Sequence, residues 1–394
     1  SALLANPEDA KQLPRSMFIE QAQNYIHHAR PSWVDIDLNA LANNVRQIKS
    51  LIGYNVTLFA VVKADAYGHG AVSVARTALL NGAEFLAVAS VSEAVELRDA
   101  GIEAPILVMS YTPVQAIRQA VRQNITVTLY DLDLARAYDR AAREAGGVLR
   151  VHVKVDTGMG RLGVLASMAV PFFRSMLNLN HLEIEGIYTH YSMADESAEY
   201  TAEQTKTFKR VLTPLRAAGF SFKYIHAANS AGTLLSKDNH FNAVRVGLAL
   251  YGLSPSDEVR VPSSFRPVMS WKTTIAQVKT LPAGHAVGYG NTYTTTEEQR
   301  IAVIPVGYSD GLRRAPNHWG QVLVHGQLVP IIGRVSMEKT VLDVSTLPEV
   351  AIGDEVVLLG EQGDAVLSAD DIARQLGTIS YEVVCGILPR APRR

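Results

Sequence analysis

The chain has 394 residues, 47% hydrophobic and 19% charged, with a net charge of −1, the balance of a soluble globular protein of about two domains. Near-neutral charge gives no electrostatic case for nucleic acid or an anionic membrane as partner, and no apolar run approaches the ~20 residues that span a bilayer. A single cysteine, Cys385, excludes an internal disulfide framework and a cysteine-rich metal centre, and the eleven scattered histidines show no His-Glu-x-x-His spacing, so no metal is expected. A reducing cytoplasm fits this composition. Because the chain opens at Ser1, a removed leader, and with it a periplasmic location, stays open.

Residues 1–32 read as a polar N-terminal extension with a helical stretch over 18–29 that Pro31 ends. Trp33-Val34-Asp35-Ile36-Asp37-Leu38 alternates apolar and charged residues, which predicts a half-buried strand, and Asn39 is placed to cap a helix running to about Ile52. Eight short apolar runs succeed it, at 56–63, 84–90, 105–110, 125–130, 149–156, 183–190, 222–227 and 243–247. Amphipathic helical patterns lie between them, at 71–80, 92–99, 113–123, 132–145, 168–177 and 202–218. Strand and helix in eightfold alternation predict a closed (β/α)8 barrel over 33–266. A doubly wound open sheet is the alternative, but it would carry Gly-x-Gly-x-x-Gly after its first strand, and that pattern is missing. Past Pro267 the texture changes to short strands with Gly and Pro turns, at 273–280, 301–305, 321–324, 328–332, 340–343 and 355–359. This predicts a β-rich C-terminal domain over 267–394 holding one helix, 369–376, capped by Ser368.

The chemistry gathers around Leu58-Phe59-Ala60-Val61-Val62-Lys63-Ala64-Asp65-Ala66-Tyr67-Gly68-His69-Gly70. A valine-rich run is a strand buried on both faces, and a lysine at its mouth gains no packing and loses hydration. Desolvation lowers an ammonium's pKa, as an amine that attacks a carbonyl or removes a proton requires. The plainer reading is a lysine whose stem covers apolar surface while its head reaches water. Functional residues of a barrel sit at the C-terminal ends of its strands. Those ends collect Lys63 and Tyr67, Lys154 through Arg161, His190, Asn229-Ser230 and Arg245-Val246-Gly247. They offer an amine, cations, hydroxyls, and glycines that expose N–H groups to a phosphate, with no acidic cluster for magnesium. A lysine plus a phosphate cradle suggests a Schiff base with pyridoxal 5'-phosphate. Singly, each residue also has a plainer role. His190 could be a core histidine, Tyr289 an aromatic at a turn, Arg161 half of a surface ion pair and Lys154 a rim lysine facing solvent. Met337 would be core, and Cys385 buried and inert.

Val61 through Gly70 resembles the cofactor-lysine motif of the alanine racemase family, and Lys154-Val155-Asp156-Thr157-Gly158-Met159-Gly160-Arg161-Leu162-Gly163 its arginine segment. His226-Ala227-Ala228-Asn229-Ser230-Ala231 and Arg245-Val246-Gly247-Leu248 are similar to its phosphate- and ring-contacting segments. Val287-Gly288-Tyr289-Gly290, Gly307-Tyr308-Ser309-Asp310-Gly311 and Gly333-Arg334-Val335-Ser336-Met337 resemble its second domain. The match runs from Trp33 to the C-terminus in the family's order. The resemblance implies a fold-type III, pyridoxal-phosphate-dependent enzyme that interconverts L- and D-alanine for peptidoglycan. It implies a head-to-tail homodimer in which Lys63 holds the cofactor and serves as one base while Tyr289 of the partner subunit serves as the other. Tyr67, Ser230, Gly247, Leu248 and Tyr381 would hold the phosphate, Asn229 would lie with them, and Arg245 would face the pyridine nitrogen. Arg161 would contact the ring hydroxyl and the substrate carboxylate, and the Met337 backbone that same carboxylate. His190 would pack beside the ring, and Lys154 matches a position often carbamylated. Two bases on opposite faces agree with the chemistry, because one base cannot easily serve both faces of a planar carbanion.

Some residues depart from the family's pattern. Glu338-Lys339 stands where Asp-Gln is common, which predicts a loop of different reach or charge, and Ser336 stands where cysteine is frequent. Tyr381 matches a tyrosine that keeps the pocket small and favours alanine. A broad-specificity racemase of the same fold is the nearest alternative, but such enzymes usually carry a disulfide and lack the Met-Gly-Arg stretch. A barrel-type decarboxylase would need a cysteine and an acid in its second domain. A non-catalytic pyridoxal-phosphate-binding protein would be a single barrel.

Overall fold

The structure, a computed structural model, describes residues 30–394, so the helix expected over 18–29 lies outside the described residues. The chain divides into two compact units, Asp37–Val268 and a second made of 30–36 with Met269–Arg394. Among the described residues no helix is long and apolar enough to cross a membrane.

In the first unit eight strands form the barrel: β1 (Thr57–Val61), β2 (Phe85–Val88), β3 (Ile106–Val108), β4 (Thr126–Leu129), β5 (Leu149–Asp156), β6 (Leu182–Tyr188), β7 (Tyr224–His226) and β8 (Ala243–Val246). Each pairs in parallel with the next, and β8 pairs back onto β1 with Arg245 opposite Phe59, closing the ring. All four residues of β2, β4 and β8 are buried; β2 is wholly apolar, while β4 (Thr126-Val127-Thr128-Leu129) and β8 (Ala243-Val244-Arg245-Val246) bury polar side chains among apolar ones. Inside the ring Phe59 stacks on Phe85 with centroids 4.1 Å apart, and Leu107 and Ala243 complete that layer.

Three outer helices bear on the site: α1 (Leu38–Ile52), α2 (Ala71–Leu80) and α3 (Val91–Asp99). Helix α1 buries Leu41, Val45, Ile48 and Ile52, one stripe at the helical repeat. Its cap is Asp37 and not Asn39, because the Asp37 carboxylate reaches two N–H groups, those of Asn39 and Ala40, at 2.9 Å each. The barrel helices fall where the periodicity placed them, with 113–123 divided into a 3-10 turn, Val114–Ala116, and a short helix, Ile117–Arg122.

Among the described residues the second unit is built on a nine-stranded antiparallel sheet in the order Ser32–Ile36, Met269–Thr274, Glu355–Gln362, Gln321–Val324, Gln327–Ile332, Thr340–Asp343, Gln299–Ile304 and Gln277–Leu281, with Ala365–Leu367 also paired to Glu355–Gln362, and on a separate two-stranded sheet of Ala286–Val287 and Tyr293–Thr294. The alternating strand expected at the start of the barrel domain thus belongs to the larger sheet, with Val34 opposite Trp271 on one side and residues 392–394 bonded along the other. Its alternation is that of a strand with one covered face, unlike the barrel strands. Trp271 and Trp319 pack edge to face at 5.5 Å, and their indole N–H groups donate to Ser32 Oγ and the Leu358 carbonyl. The run at 273–280 is two strands broken at Ile275. The expected helix Ala369–Leu376 is present with Ser368 as its cap, but a second helix, Ser380–Cys385, comes after it and carries Tyr381. Cys385, expected to be buried, is exposed at the end of that helix.

Asp37→Ala removes a cap that satisfies two N–H groups. It should destabilise the barrel unit by about 1 kcal/mol, read as a lower urea midpoint.

Candidate active site

Lys63 stands two residues past the end of β1 and is half-buried. The residues after it turn sharply. Ala64, Asp65, Ala66 and Tyr67 all take left-handed backbone angles, with φ between 52 and 55°. L-residues pay roughly 1–2 kcal/mol each for that conformation, so four in a row must be held. Asp65 Oδ1 accepts the Ala71 N–H at 2.7 Å, anchoring the turn to the start of α2. His69 Nδ1 lies 2.9 Å from the Ala66 carbonyl and 3.0 Å from that of Tyr67, so this nitrogen carries the proton. The His69 ring stacks on Tyr251 at 4.3 Å, and Tyr251 Oη donates to the Val61 carbonyl.

Arg245 points from β8 into the barrel and is 3% exposed. Among the described residues no carboxylate forms an ion pair with it. Its Nη2 donates to the carbonyls of Thr189 and Ala227 at 3.0 and 3.1 Å and lies 3.0 Å from His190 Nδ1, while Nη1 lies 2.7 Å from His226 Nδ1. A guanidinium only donates, so His190 Nδ1 and His226 Nδ1 accept. The direction then propagates. His226 Nε2–H donates to His152 Nδ1 at 2.9 Å, and His152 Nε2–H donates to Glu185 Oε2 at 3.2 Å. Two neutral imidazoles connect the arginine to a carboxylate on the same strand as Tyr188, and Lys223 stands 3.7 Å from that carboxylate. The Tyr188 ring carries Arg245 on its face at 4.9 Å and stacks on His226 at 4.7 Å.

Burial lowers all three imidazoles below the ordinary 6.5, and the Arg245 charge lowers each further, His190 and His226 most strongly. For His152 the Glu185 carboxylate opposes the shift. Burial brings Arg245 itself down to about 10, still protonated at neutral pH.

Lys154, on β5, is 4% exposed and not at a solvated rim. Burial first, then the charges of Arg245, Arg161 and Lys63, brings its amine down to about 8, with Asp156 opposing. Asp156 organises the following loop, its Oδ1 accepting the N–H groups of Gly158, Met159 and Gly160 at 2.9–3.1 Å. That loop carries Arg161, which is exposed.

At the ends of β7 and β8, Ser230 Oγ accepts the N–H groups of Gly247 and Ala249 at 3.2 Å, and Asn229 Oδ1 accepts that of Gly232 at 2.9 Å. Leu248 opens the turn after β8. Tyr67 Oη lies so close to Gly247 that a Cβ there would collide with it. A hydroxyl, a phenol and glycine backbone in contact, beside a lysine amine and a permanent cation, fit a phosphorylated aldehyde cofactor. Among the described residues no group of His, Cys, Asp and Glu could hold a metal ion.

In the second unit, Tyr289 lies in a 3-10 turn and is 66% exposed, and Met337, expected to be core, is 54% exposed. The Met337 segment is fixed: Ser309 donates to the Met337 carbonyl through N–H at 3.1 Å and Oγ at 2.7 Å, and Tyr308 N–H to the Ser336 carbonyl at 3.0 Å. Gly307 passes so close to those carbonyls that no side chain fits. Glu338 does bring a charge to this loop, and both its oxygens meet Arg390 Nη2 at 3.0 Å. Tyr381 is half-buried on its short helix.

The first unit therefore brings together Lys63, Tyr67, Lys154, His190, Ser230, Arg245 and Gly247, with Arg161, Asn229 and Leu248 on adjoining loops. Tyr289, Met337 and Tyr381 belong to the second unit. Sequence reasoning missed the roles of Tyr188, His152, Glu185 and Asp65. Asp65, Asp156 and His226 stood inside recognised segments without a role of their own.

Neutral in the fold, His152, His190 and His226 take up protons on unfolding. Their contribution to stability is complete above about 6.5 and is lost as pH falls through their lower folded values. The urea midpoint should therefore fall between pH 7 and pH 5; a midpoint that rises would contradict the neutral assignment.

Two family models match the chain: the alanine racemase N-terminal domain over residues 36–255 and the alanine racemase C-terminal domain over 268–394. The alanine racemase of Desulfovibrio desulfuricans is 44% identical over 365 residues, covering 92% of this chain and 98% of its own. That of Desulfosudis oleivorans is 46% identical over 373 residues, covering 92% and 96%. Among solved structures, the alanine racemase from Bacillus anthracis with bound L-Ala-P superposes with a TM-score of 0.88 at 40% identity, covering 92% of this chain and 94% of that one. With the closed barrel, the β-rich second unit and both family models in agreement, the chain belongs to the alanine racemase family, whose members use pyridoxal 5'-phosphate.

Proposed function

We propose that this protein is an alanine racemase that interconverts L- and D-alanine with two bases, Lys63 and Tyr289 of the partner subunit, and supplies D-alanine for peptidoglycan. The observation that carries the reading is Arg245, a buried cation solvated by carbonyls and two neutral imidazoles in place of a carboxylate. Pyridoxal 5'-phosphate, when bound, supplies the electron sink that acidifies the α-proton of an amino acid. With the cofactor bound, Arg245 would stand at its ring nitrogen; a guanidinium keeps its own proton, so it would leave that nitrogen unprotonated and weaken the electron sink, favouring simple return of the α-proton.

Lys63 holds the cofactor and, at Nζ, takes or returns the α-proton on one face. The phenol oxygen of Tyr289 serves the other face. Tyr67, Ser230, Gly247, Leu248 and Tyr381 hold the phosphate, with Asn229 beside them. Arg161 and the Met337 backbone orient the substrate carboxylate, and His190 packs beside the ring. The two units supply different members of this set, which supports a homodimer with shared sites. The solvent exposure of Tyr289, Tyr308 and Met337 in the single chain agrees with a face that a second copy covers.

Lys154 adds a further element. An amine with a pKa of about 8 is partly neutral at neutral pH and open to carbon dioxide, and its carbamate would stand among Arg161, Arg245 and Lys63. Carbon-13 NMR of protein equilibrated with labelled bicarbonate should show a carbamate signal that Lys154→Ala abolishes.

A chirality assay across alanine, serine, lysine and arginine tests the main reading. Alanine should be turned over fastest; comparable rates for the basic amino acids would favour a broad-specificity racemase. Lys63→Ala should abolish turnover. Tyr289→Phe should slow solvent-deuterium incorporation from one enantiomer more than from the other, and equal slowing would undermine the two-base assignment.

A further inference from the structure

The parallel ladder between β1 and β2 ends where Val61 faces Ala87, with one last bond from the Val62 N–H to the Ala87 carbonyl at 2.9 Å. Beyond it the two chains part. One enters the left-handed turn after Lys63, and the other enters α3. Parting strands leave N–H groups on both sides without a ladder partner. Glu93, in the first turn of α3, stands between them. Its Oε1 accepts the Ala64 N–H at 2.7 Å, and its Oε2 accepts those of Ala89 at 2.6 Å and Ser90 at 3.2 Å.

The contact with Ser90 completes a capping box, in which Ser90 Oγ accepts the Glu93 N–H. Capping accounts for one oxygen of Glu93. The other reaches across to the residue next to Lys63, which no cap requires. Four consecutive left-handed L-residues relax unless both ends are tied. Asp65 and His69 fasten the far end to α2 and to Tyr251, and Glu93 fastens the near end to the neighbouring strand.

We propose that Glu93 is a positioning residue for Lys63: its two carboxylate oxygens bridge the parted strands, hold the left-handed turn closed and so fix where the lysine amine stands. The proposal rests on the reading of Lys63 as the cofactor lysine. It requires acceptors at both ends of one side chain. Glutamine offers one oxygen and turns an NH2 toward an N–H at the other end, and aspartate is one methylene short. Ser90→Ala weakens the cap and leaves the bridge intact, which makes it the control.

The test compares wild type, Glu93→Gln, Ser90→Ala and Glu93→Gln with Ala64→Gly. The readouts are amide hydrogen exchange on cofactor-stripped protein and titration with pyridoxal 5'-phosphate followed by visible absorbance. A charge-assisted bond lost from the bridge should speed exchange over residues 64–67 and weaken cofactor affinity, each by at least ~10-fold. In the loaded enzyme kcat should fall with little change in KM for alanine. Ala64→Gly should restore part of the affinity, since glycine adopts the left-handed conformation without penalty. Ser90→Ala should lower the melting temperature alone. Glu93→Gln behaving like Ser90→Ala in exchange and affinity would overturn the proposal. A wild type that takes up no cofactor would instead sink the reading of Lys63, while exchange on the stripped protein would still decide whether Glu93 holds the turn.

Discussion

A guanidinium enclosed in a β-barrel must be solvated by the barrel, and most of what stands around Arg245 answers that need. Leaving such a charge unpaired in a low-dielectric interior is expensive, and the usual remedy is a carboxylate. Here the remedy is distributed over the carbonyls of Thr189 and Ala227, the face of Tyr188 and two imidazole nitrogens. A direct carboxylate partner would have cancelled the charge. Carbonyls and imidazoles leave it intact and aimed. The balancing anion along the hydrogen-bonded chain is Glu185, beyond His226 and His152. Burial pushes the Glu185 carboxyl up, but the bond from His152, with Lys223 and Arg150 nearby, takes it below the ordinary carboxylate value.

Burial, reinforced by the same charge, explains the groups shifted down at the strand ends. Desolvation comes first and an arginine that keeps its proton at neutral pH adds to it: His190 and His226 stay neutral and Lys154 drops to about 8. Tyr188 moves the other way. Burial raises its phenol to about 12, although its bond with Thr128 and the nearby arginines oppose that shift. It therefore remains a neutral ring for cations to rest against. The strand ends thus gather the basic side chains Lys63, Arg161 and Arg245 around groups held neutral.

Much of this was legible in the sequence. The barrel was, because each of its strands is short, apolar and followed by a helix at the right spacing. So was the gathering of Lys63, Ser230 and Arg245 at neighbouring strand ends, because a lysine, a serine and an arginine there have no packing reason to be present. The misplaced elements share a physical cause. The strand at Trp33 alternates like any half-covered strand, and alternation does not say which sheet covers it. Asp37 and Asn39 are both good capping residues, and only backbone geometry decides between them. The short helix bearing Tyr381 has too few turns to show a period.

The left-handed turn after Lys63 was beyond reach for a different reason. Ala64, Ala66 and Tyr67 have no propensity for it, and a single aspartate among them, a residue that tolerates it, does not announce four such residues in a row. A glycine-rich turn would have announced itself, but it would also have stayed mobile in the folded protein. Residues with a Cβ resist the conformation, so once they are forced into it by Glu93, Asp65 and His69 they have few other states to visit. The strain and the precision are then one property. In the role proposed for it, meeting a cofactor carbon and an α-proton in turn, Lys63 would gain more from a tethered, reluctant backbone than from a compliant one. That is why the information lies in Glu93, across the strand gap on α3, and not in the turn itself.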